Sequence, residues 1–316
     1  MSIHFNKLDP ECKEIILEWL DAPSPETGMS IQDLRKGLLL DKELIGEGPS
    51  EISTKDIVIE NRYSDQIEAR IYQKKKTGSE KTLLYLHGGG WVSCSIETHD
   101  TFCKYLAHYA DINVISINYR LAPEYKYPAA LEDTEDVLDW IGSKKNTELK
   151  TNPKFIGVAG DSAGGNLTAA ISLKLRDVDK KIISLQVIIY GALSGDTNSS
   201  SYKEYGVNPY RLKKATMEWF WLQYIPKTQV DRQEYLEPIK ANNFSNLPKS
   251  LIFTSEHDVL RDEAEEYFTL LKEHKNNAYH KRFDSLPHGF VNMIGKSKKA
   301  KESSIFIAEK IKELWT

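Results

Sequence analysis

From residue 52 to the end of the chain, eight short runs rich in β-branched and aromatic residues recur, most of them separated by stretches with helical spacing. They are EISTKDIVIE, IEARIYQ, TLLYLH, INVISINY, KFIGVAG, ISLQVIIY, SLIFTSE and AYHKRFD. Such runs suit a pleated, half-buried surface. The first two are joined only by residues of NRYSDQ, short enough for an antiparallel connection. Helix-like stretches at 97–110, 129–145, 163–178 and 262–275 separate most of the later ones. Parallel neighbours need a crossover, and a helix is what usually fills it. TLLYLH and LQVIIY are apolar on both faces, which fits strands covered on both sides. The expected fold class is therefore α/β, an eight-stranded, mostly parallel sheet with helices on both faces.

Two regions fall outside this alternation. About sixty residues separate the sixth run, ending near Tyr190, from the seventh, starting near Ser250, too many for a plain crossover. This insertion contains MEWFWLQY, which as a helix puts Met217, Trp221 and Tyr224 on one side. The first 45 or so residues read as helical: Asp9 can cap, Pro10 suits the first helical position, and Ile15, Ile16, Trp19 and Leu20 share a face. A second amphipathic stretch starts at Ser30. The resulting division is 1–48, 49–195, 196–245 and 246–316, with the second and fourth segments forming one core.

Composition narrows the partners. A net charge of -4 supplies no basic field for a phosphate backbone, so nucleic acid is not expected. The N-terminus MSIHFNKLDPECKE has no apolar leader, and no run approaches the ~18 apolar residues of a membrane span. Cys12, Cys94 and Cys103 are too scattered for a disulfide framework and form no C-x-x-C pair. A cytoplasmic protein with reduced thiols, no metal and no cofactor is the expectation.

The chemistry centres on GDSAGG, residues 160–165, between the strand KFIGVAG and the helical NLTAAISLKL. A G-x-S-x-G sequence alone is a weak signal and also fits a plain glycine-rich bend. Its strand-to-helix context is that of a turn that lifts Ser162 clear of the sheet. A serine hydroxyl is a poor nucleophile at neutral pH and needs a base, which in turn needs an orienting group. Among eight histidines, His288 in LPHGF stands after the last strand, at the sheet edge where Ser162 emerges. His4 lies in the N-terminal arm, His108 and His274 on helix faces, His280 in a strand, and His99 at a helix start. Asp258, directly after SLIFTSE, is the candidate acid; its rivals Glu256 and Asp262 read as partners of Arg261 or as helix caps. The order Ser, Asp, His is that of the α/β-hydrolases. HGGG at 87–90 follows the third strand, so the amides of Gly88 and Gly89, with that of Ala163, are candidate donors to an oxyanion. A flexible hinge is the plainer reading of HGGG.

Taken together, HGGGW, NYRLAPE (118–124), GDSAGGN, HDVLRDE (257–263) and PHGF (287–290) resemble the ordered motifs of the hormone-sensitive-lipase-like family of α/β-hydrolases. The branch is that of microbial acetyl esterases and carboxylesterases, and the match runs from about residue 50 to the C-terminus. The resemblance implies a catalytic triad of Ser162, Asp258 and His288, and an oxyanion hole of Gly88, Gly89 and Ala163. It also implies a helical cap built from 1–48 and 196–245, and short-chain acyl esters as small-molecule substrates. Trp91 and Trp221 are candidate pocket residues. Val259 stands where the family usually has proline, and Asn118 replaces a common aspartate. A homodimer through the sheet edge is a further implication. Amide or peptide hydrolysis by the same triad stays open. So does a non-catalytic ligand-binding role, as in the plant gibberellin receptor, although loss of the histidine accompanies that conversion and PHGF retains it.

Overall fold

The computed structural model describes residues 3–20, 22–37, 42–75, 79–143, 145–207, 209–210 and 212–316, with side chains from Phe5 onward. The side chain of His4 lies outside that set. All eight expected strands form: β1 (Ile52–Glu60), β2 (Gln66–Lys74), β3 (Thr82–Leu86), β4 (Asn113–Ile117), β5 (Ile156–Asp161), β6 (Leu185–Ile189), β7 (Lys249–His257) and β8 (Ala278–Pro287). They join in one sheet of order β1-β2-β4-β3-β5-β6-β7-β8. The pairs β1/β2 and β2/β4 are antiparallel, and every other pair is parallel.

Eleven α-helices are described: α1 (Pro10–Glu18), α2 (Ile31–Gly37), α3 (Lys42–Ile45), α4 (Ile96–Ala110), α5 (Ala129–Gly142), α6 (Ala163–Asp177), α7 (Ser200–Tyr205), α8 (Lys214–Tyr224), α9 (Gln233–Leu236), α10 (Arg261–Glu273) and α11 (Lys298–Leu314). Side chains alternate faces along a strand, and that alternation builds two cores. On β3, Leu83 and Tyr85 join a cluster with Phe102 and Leu106 of α4 and Ile307 and Ile311 of α11. Leu84 and Leu86 join the opposite cluster, with Leu138 of α5, Leu167 and Ile171 of α6 and Tyr267 of α10. Every residue of β3, β4, β5 and β6 is buried, as strands covered on both sides must be.

The insertion carries α7, α8 and α9, and Met217, Trp221 and Tyr224 of α8 are buried as their spacing predicts, while Leu222 is 71% exposed. At the N-terminus, Asp9 accepts the Cys12 amide at 3.1 Å and Pro10 opens α1. Ser30 caps the next helix by accepting the Asp33 amide at 3.1 Å. Among the described residues no helix is long and apolar enough to cross a membrane.

One consequence of the topology places the chemistry. HGGG follows the end of β3, Ser162 the end of β5, Asp258 the end of β7 and His288 the end of β8. These four strands run parallel, so all four sites emerge at the same edge of the sheet.

Candidate active site

Ser162 is forced into place by its neighbours. Its φ of 53° and ψ of -117° lie in a region that L-residues rarely adopt, at a cost of about 1–3 kcal/mol. The turn is held by the Ser162 amide donating to Ile189 O at 2.9 Å and by the Ala192 amide donating to Ser162 O at 3.1 Å. It is also too tight for side chains: a Cβ at Gly164 would sit 1.9 Å from Leu86 O, and one at Gly160 would sit 2.3 Å from the Gly164 carbonyl carbon. The small residues in GDSAGG thus let α6 start directly against β3 and β5.

His288 stands between the serine and the acid. Its Nε2 lies 3.0 Å from Ser162 Oγ and its Nδ1 lies 2.7 Å from Asp258 Oδ2. The other carboxylate oxygen of Asp258 accepts the Leu260 amide at 2.9 Å, which fixes its rotation. Asp258 is 1% exposed, so its charge acts on the imidazole with little solvent screening. The rival acids are engaged elsewhere. Asp262 pairs with Arg261 at 2.9 Å and accepts the Ser201 amide, and Glu256 accepts the Ser285 amide. Val259 is simply buried. Asn118 accepts the Ile96 amide at 2.9 Å, and so helps start α4.

The glycine loop corrects one expectation. The Gly88 amide donates to Asp161 Oδ1 at 2.9 Å, so it is consumed inside the protein and cannot also serve a substrate. Gly89 and Gly90 both line the cavity above Ser162. The amides of Gly89, Gly90 and Ala163 have no protein acceptor among the described residues. The available donor set is therefore one residue further along the loop than sequence placed it. Gly89 has φ 106°, and a Cβ there would lie 2.2 Å from Ser93 O.

The cavity has a volume of about 350 Å³ and takes its walls from the N-terminal segment, the glycine loop and α8. Met29, Leu34, Met217 and Phe220 supply apolar surface. Trp91 lines it too, stacked on Tyr224 with ring centroids 4.3 Å apart. Trp221 does not. It packs against Trp91 at 4.5 Å and belongs to the buried cluster that also holds Leu84 and Leu86, because Phe220 is the residue that α8 turns toward the loop. Among the described residues no group of three or more His, Cys, Asp or Glu is arranged to hold a metal ion.

A profile for the alpha/beta hydrolase fold matches residues 83–292, about two thirds of the chain. The chain belongs to the hormone-sensitive-lipase-like α/β-hydrolases.

Two relatives and one structure illustrate the likeness. The chain is 35% identical over 233 residues to the carboxylic ester hydrolase LipN of Mycobacterium tuberculosis, a match covering 72% of this chain and 62% of LipN. It therefore spans less than two thirds of that relative's length. It is 29% identical to an arylesterase of Saccharolobus solfataricus over 98% of this chain and 99% of that one. The crystallised hyperthermophilic esterase of the archaeon Pyrobaculum calidifontis superposes with a TM-score of 0.89 at 36% identity, covering 97% of this chain and 98% of the other.

Sequence reasoning missed three groups in this chain. Gly90 was legible, standing in the same HGGG. Asp161 was visible only as a letter inside GDSAGG and His99 only as a histidine at a helix start, and nothing in their spacing announced that they meet at 3.2 Å.

Proposed function

We propose that this α/β-hydrolase is a serine carboxylesterase. The observation that carries the reading is the single imidazole of His288, within hydrogen-bond reach of both Ser162 Oγ and Asp258 Oδ2. His288 takes the Ser162 proton as the oxygen attacks an ester carbonyl. Asp258 holds the Nδ1 proton and stabilises the imidazolium that forms. The amides of Gly89, Gly90 and Ala163 receive the negative charge that develops on the carbonyl oxygen. The imidazolium then protonates the departing alcohol, leaving an acyl-serine. A water molecule, deprotonated by the same imidazole, attacks the acyl carbon, and Ser162 leaves with its proton restored.

Short-chain acyl esters are the favoured substrates in this reading. A cavity near 350 Å³ stands at the small end of the range of roughly 300–1,000 Å³ for small-molecule pockets, and its walls are mainly apolar. The segments 1–48 and 196–245 act together as a discontinuous cap over the site, supported by residues of both in the cavity wall. Cys12, Cys94 and Cys103 stand as thiols outside any disulfide, which suits a cytosolic setting. A homodimer through the open edge of β8 completes the reading, and light scattering tests it.

The deciding experiment combines a fluorophosphonate probe with hydrolysis of p-nitrophenyl acetate. The protein labels at Ser162 and turns over the ester, whereas Ser162→Ala does neither and keeps the native circular dichroism. Retained turnover in Ser162→Ala rejects the assignment, absence of labelling in the native chain points to a ligand-binding role, and faster turnover of a matched anilide points to an amidase.

A further inference from the structure

The residue before the serine carries a buried charge that the mechanism above leaves unused. Asp161 ends β5 and is 2% exposed. A lone carboxylate at that depth is strongly disfavoured, so it persists only with strong partners. One of its oxygens, Oδ1, gathers three: Tyr85 Oη at 2.7 Å, the Gly88 amide at 2.9 Å and His99 Nε2 at 3.2 Å. These come from β3, from the glycine loop and from α4, so one atom ties three elements together behind the reactive serine. Burial alone would raise the pKa of this carboxyl, but His99 and the Tyr85 hydroxyl outweigh it and hold the group below the ordinary aspartate value.

The Gly88 peptide is gripped from both ends. Its amide is held by Asp161, and its carbonyl accepts His87 Nδ1 at 2.7 Å. Burial and the neighbouring His99 push the His87 pKa down to about 3, so that ring is neutral and its one proton sits on Nδ1. The His87 carbonyl in turn accepts Tyr119 Oη at 2.8 Å. A run of three glycines has wide backbone freedom, yet its first peptide has almost none here. Even a methyl on Gly88 would stand 2.6 Å from Asp161 Oδ2. Immediately after this clamped peptide come Gly89 and Gly90.

We infer that Asp161, with His99 as its partner, is a positioning residue for the oxyanion-binding loop: by fixing the Gly88 peptide it aims the next two amides at the substrate carbonyl. The inference rests on the serine-esterase reading. Donors that are already aligned cost no reorganisation when charge develops, and that is the source of their catalytic value. Asp161 never touches substrate in this account. It acts through the loop, and its loss weakens binding of the transition state far more than binding of the ester.

The test compares Asp161→Ala, Asp161→Asn and His99→Gln, with p-nitrophenyl acetate for kcat and KM and a trifluoromethyl ketone as a tetrahedral-adduct mimic. Asp161→Ala is expected to lower kcat by about 10²–10³-fold, the size of losing one oxyanion donor. KM stays nearly constant, and affinity for the ketone falls in parallel with kcat. Asp161→Asn keeps an oxygen for the Gly88 amide and for Tyr85, so it retains kcat to within about tenfold of the native chain. His99→Gln combined with Asp161→Asn loses less than the product of the two single effects. A purely structural role would instead lower Tm in every variant while leaving kcat and ketone affinity as they were, and that result overturns the inference. If the alanine variant does not fold, the asparagine and glutamine variants decide alone: unchanged kcat and ketone affinity in both, or strictly independent effects, overturn it. Labelling of the native chain by the fluorophosphonate probe is recorded first. A native chain that labels and turns over, with unaffected variants, sinks only this inference, whereas one that does neither sinks the esterase reading as well.

Discussion

Gly90 lies so close beneath Phe220 that a Cβ on the glycine would meet the phenyl ring at 2.2 Å. The contact joins the glycine loop to the insertion helix α8, and it makes the loop's position depend on a residue about 130 positions away in sequence. Gly90 also has φ 61°, where an L-residue costs roughly 1–2 kcal/mol. Gly90→Ala should therefore displace the loop and lower kcat/KM by about 10²-fold, the range for a misplaced oxyanion donor. Adding Phe220→Ala should restore part of the loss. Equal activity of Gly90→Ala and the native chain in an acetate-ester assay would contradict the contact's importance.

Asp258 offers a sharper test of the proposed base. In Asp258→Asn, the amide oxygen can keep the bond from the Leu260 amide that the native Oδ1 makes at 2.9 Å. The new NH₂ then faces His288 Nδ1, which must accept instead of donate. The ring proton moves to Nε2, the nitrogen that should receive the serine proton. Such a tautomer reversal lowers kcat by about 10⁴-fold with the fold intact. Stopped-flow or steady-state rates together with an unchanged Tm check it.

Acid should silence the activity, because an imidazolium at 288 cannot take a proton from serine. The rate is therefore expected to fall as the solution is acidified. A rate indifferent to acidification, with the fold intact by circular dichroism, would count against His288 as the base.

Rising pH acts on stability through a different residue. Glu263 on α10 is 4% exposed, and burial pushes its carboxyl well above the ordinary glutamate value of about 4.5, although it accepts the Leu193 and Ser194 amides. Its folded state binds a proton that its unfolded state has already released. Stability therefore falls as pH rises above about 4.5 toward the raised folded value. Glu263→Gln removes that titration, so its Tm should decline less than the native Tm between acid and neutral pH. A parallel decline in both proteins would refute the assignment.

The two tryptophans should separate selectivity from packing. Trp91 lines the cavity and Trp221 lies behind it. Trp91→Phe is expected to shift the acyl preference toward longer chains in a series from acetate to laurate. Trp221→Phe should leave that profile unchanged and lower Tm, since it removes buried packing worth about 1–3 kcal/mol. Identical profiles for both variants would show that Trp91 does not shape the acyl site.

The strands and the serine turn were legible because each follows from local rules. The runs announce pleated segments, and the glycines of GDSAGG announce a close approach. The order Ser162, Asp258, His288 was legible because parallel strands deliver their ends to one edge. What stayed hidden depends on direction and not on identity. HGGG offers three glycine amides, and sequence cannot tell that the Gly88 amide turns inward to Asp161 while Gly89 and Gly90 line the cavity with amides that have no protein acceptor among the described residues. Helical spacing groups Trp221 with the buried side of α8 but does not say that the cavity lies beyond Phe220. The partnership of His99 with Asp161 joins positions 62 apart whose meeting is set by the packing of α4 on the sheet.

The crowding around Gly160 and Gly164 carries a consequence for how this molecule can change. With no space for even a methyl group on either side of the reactive turn, mutational drift there is closed off. Novelty in substrate choice must instead arise in the walls contributed by residues such as Met29, Leu34, Leu212 and Met217. Libraries aimed at those walls, with the turn left untouched, should yield new specificities at a far higher frequency than libraries aimed at the serine's neighbours.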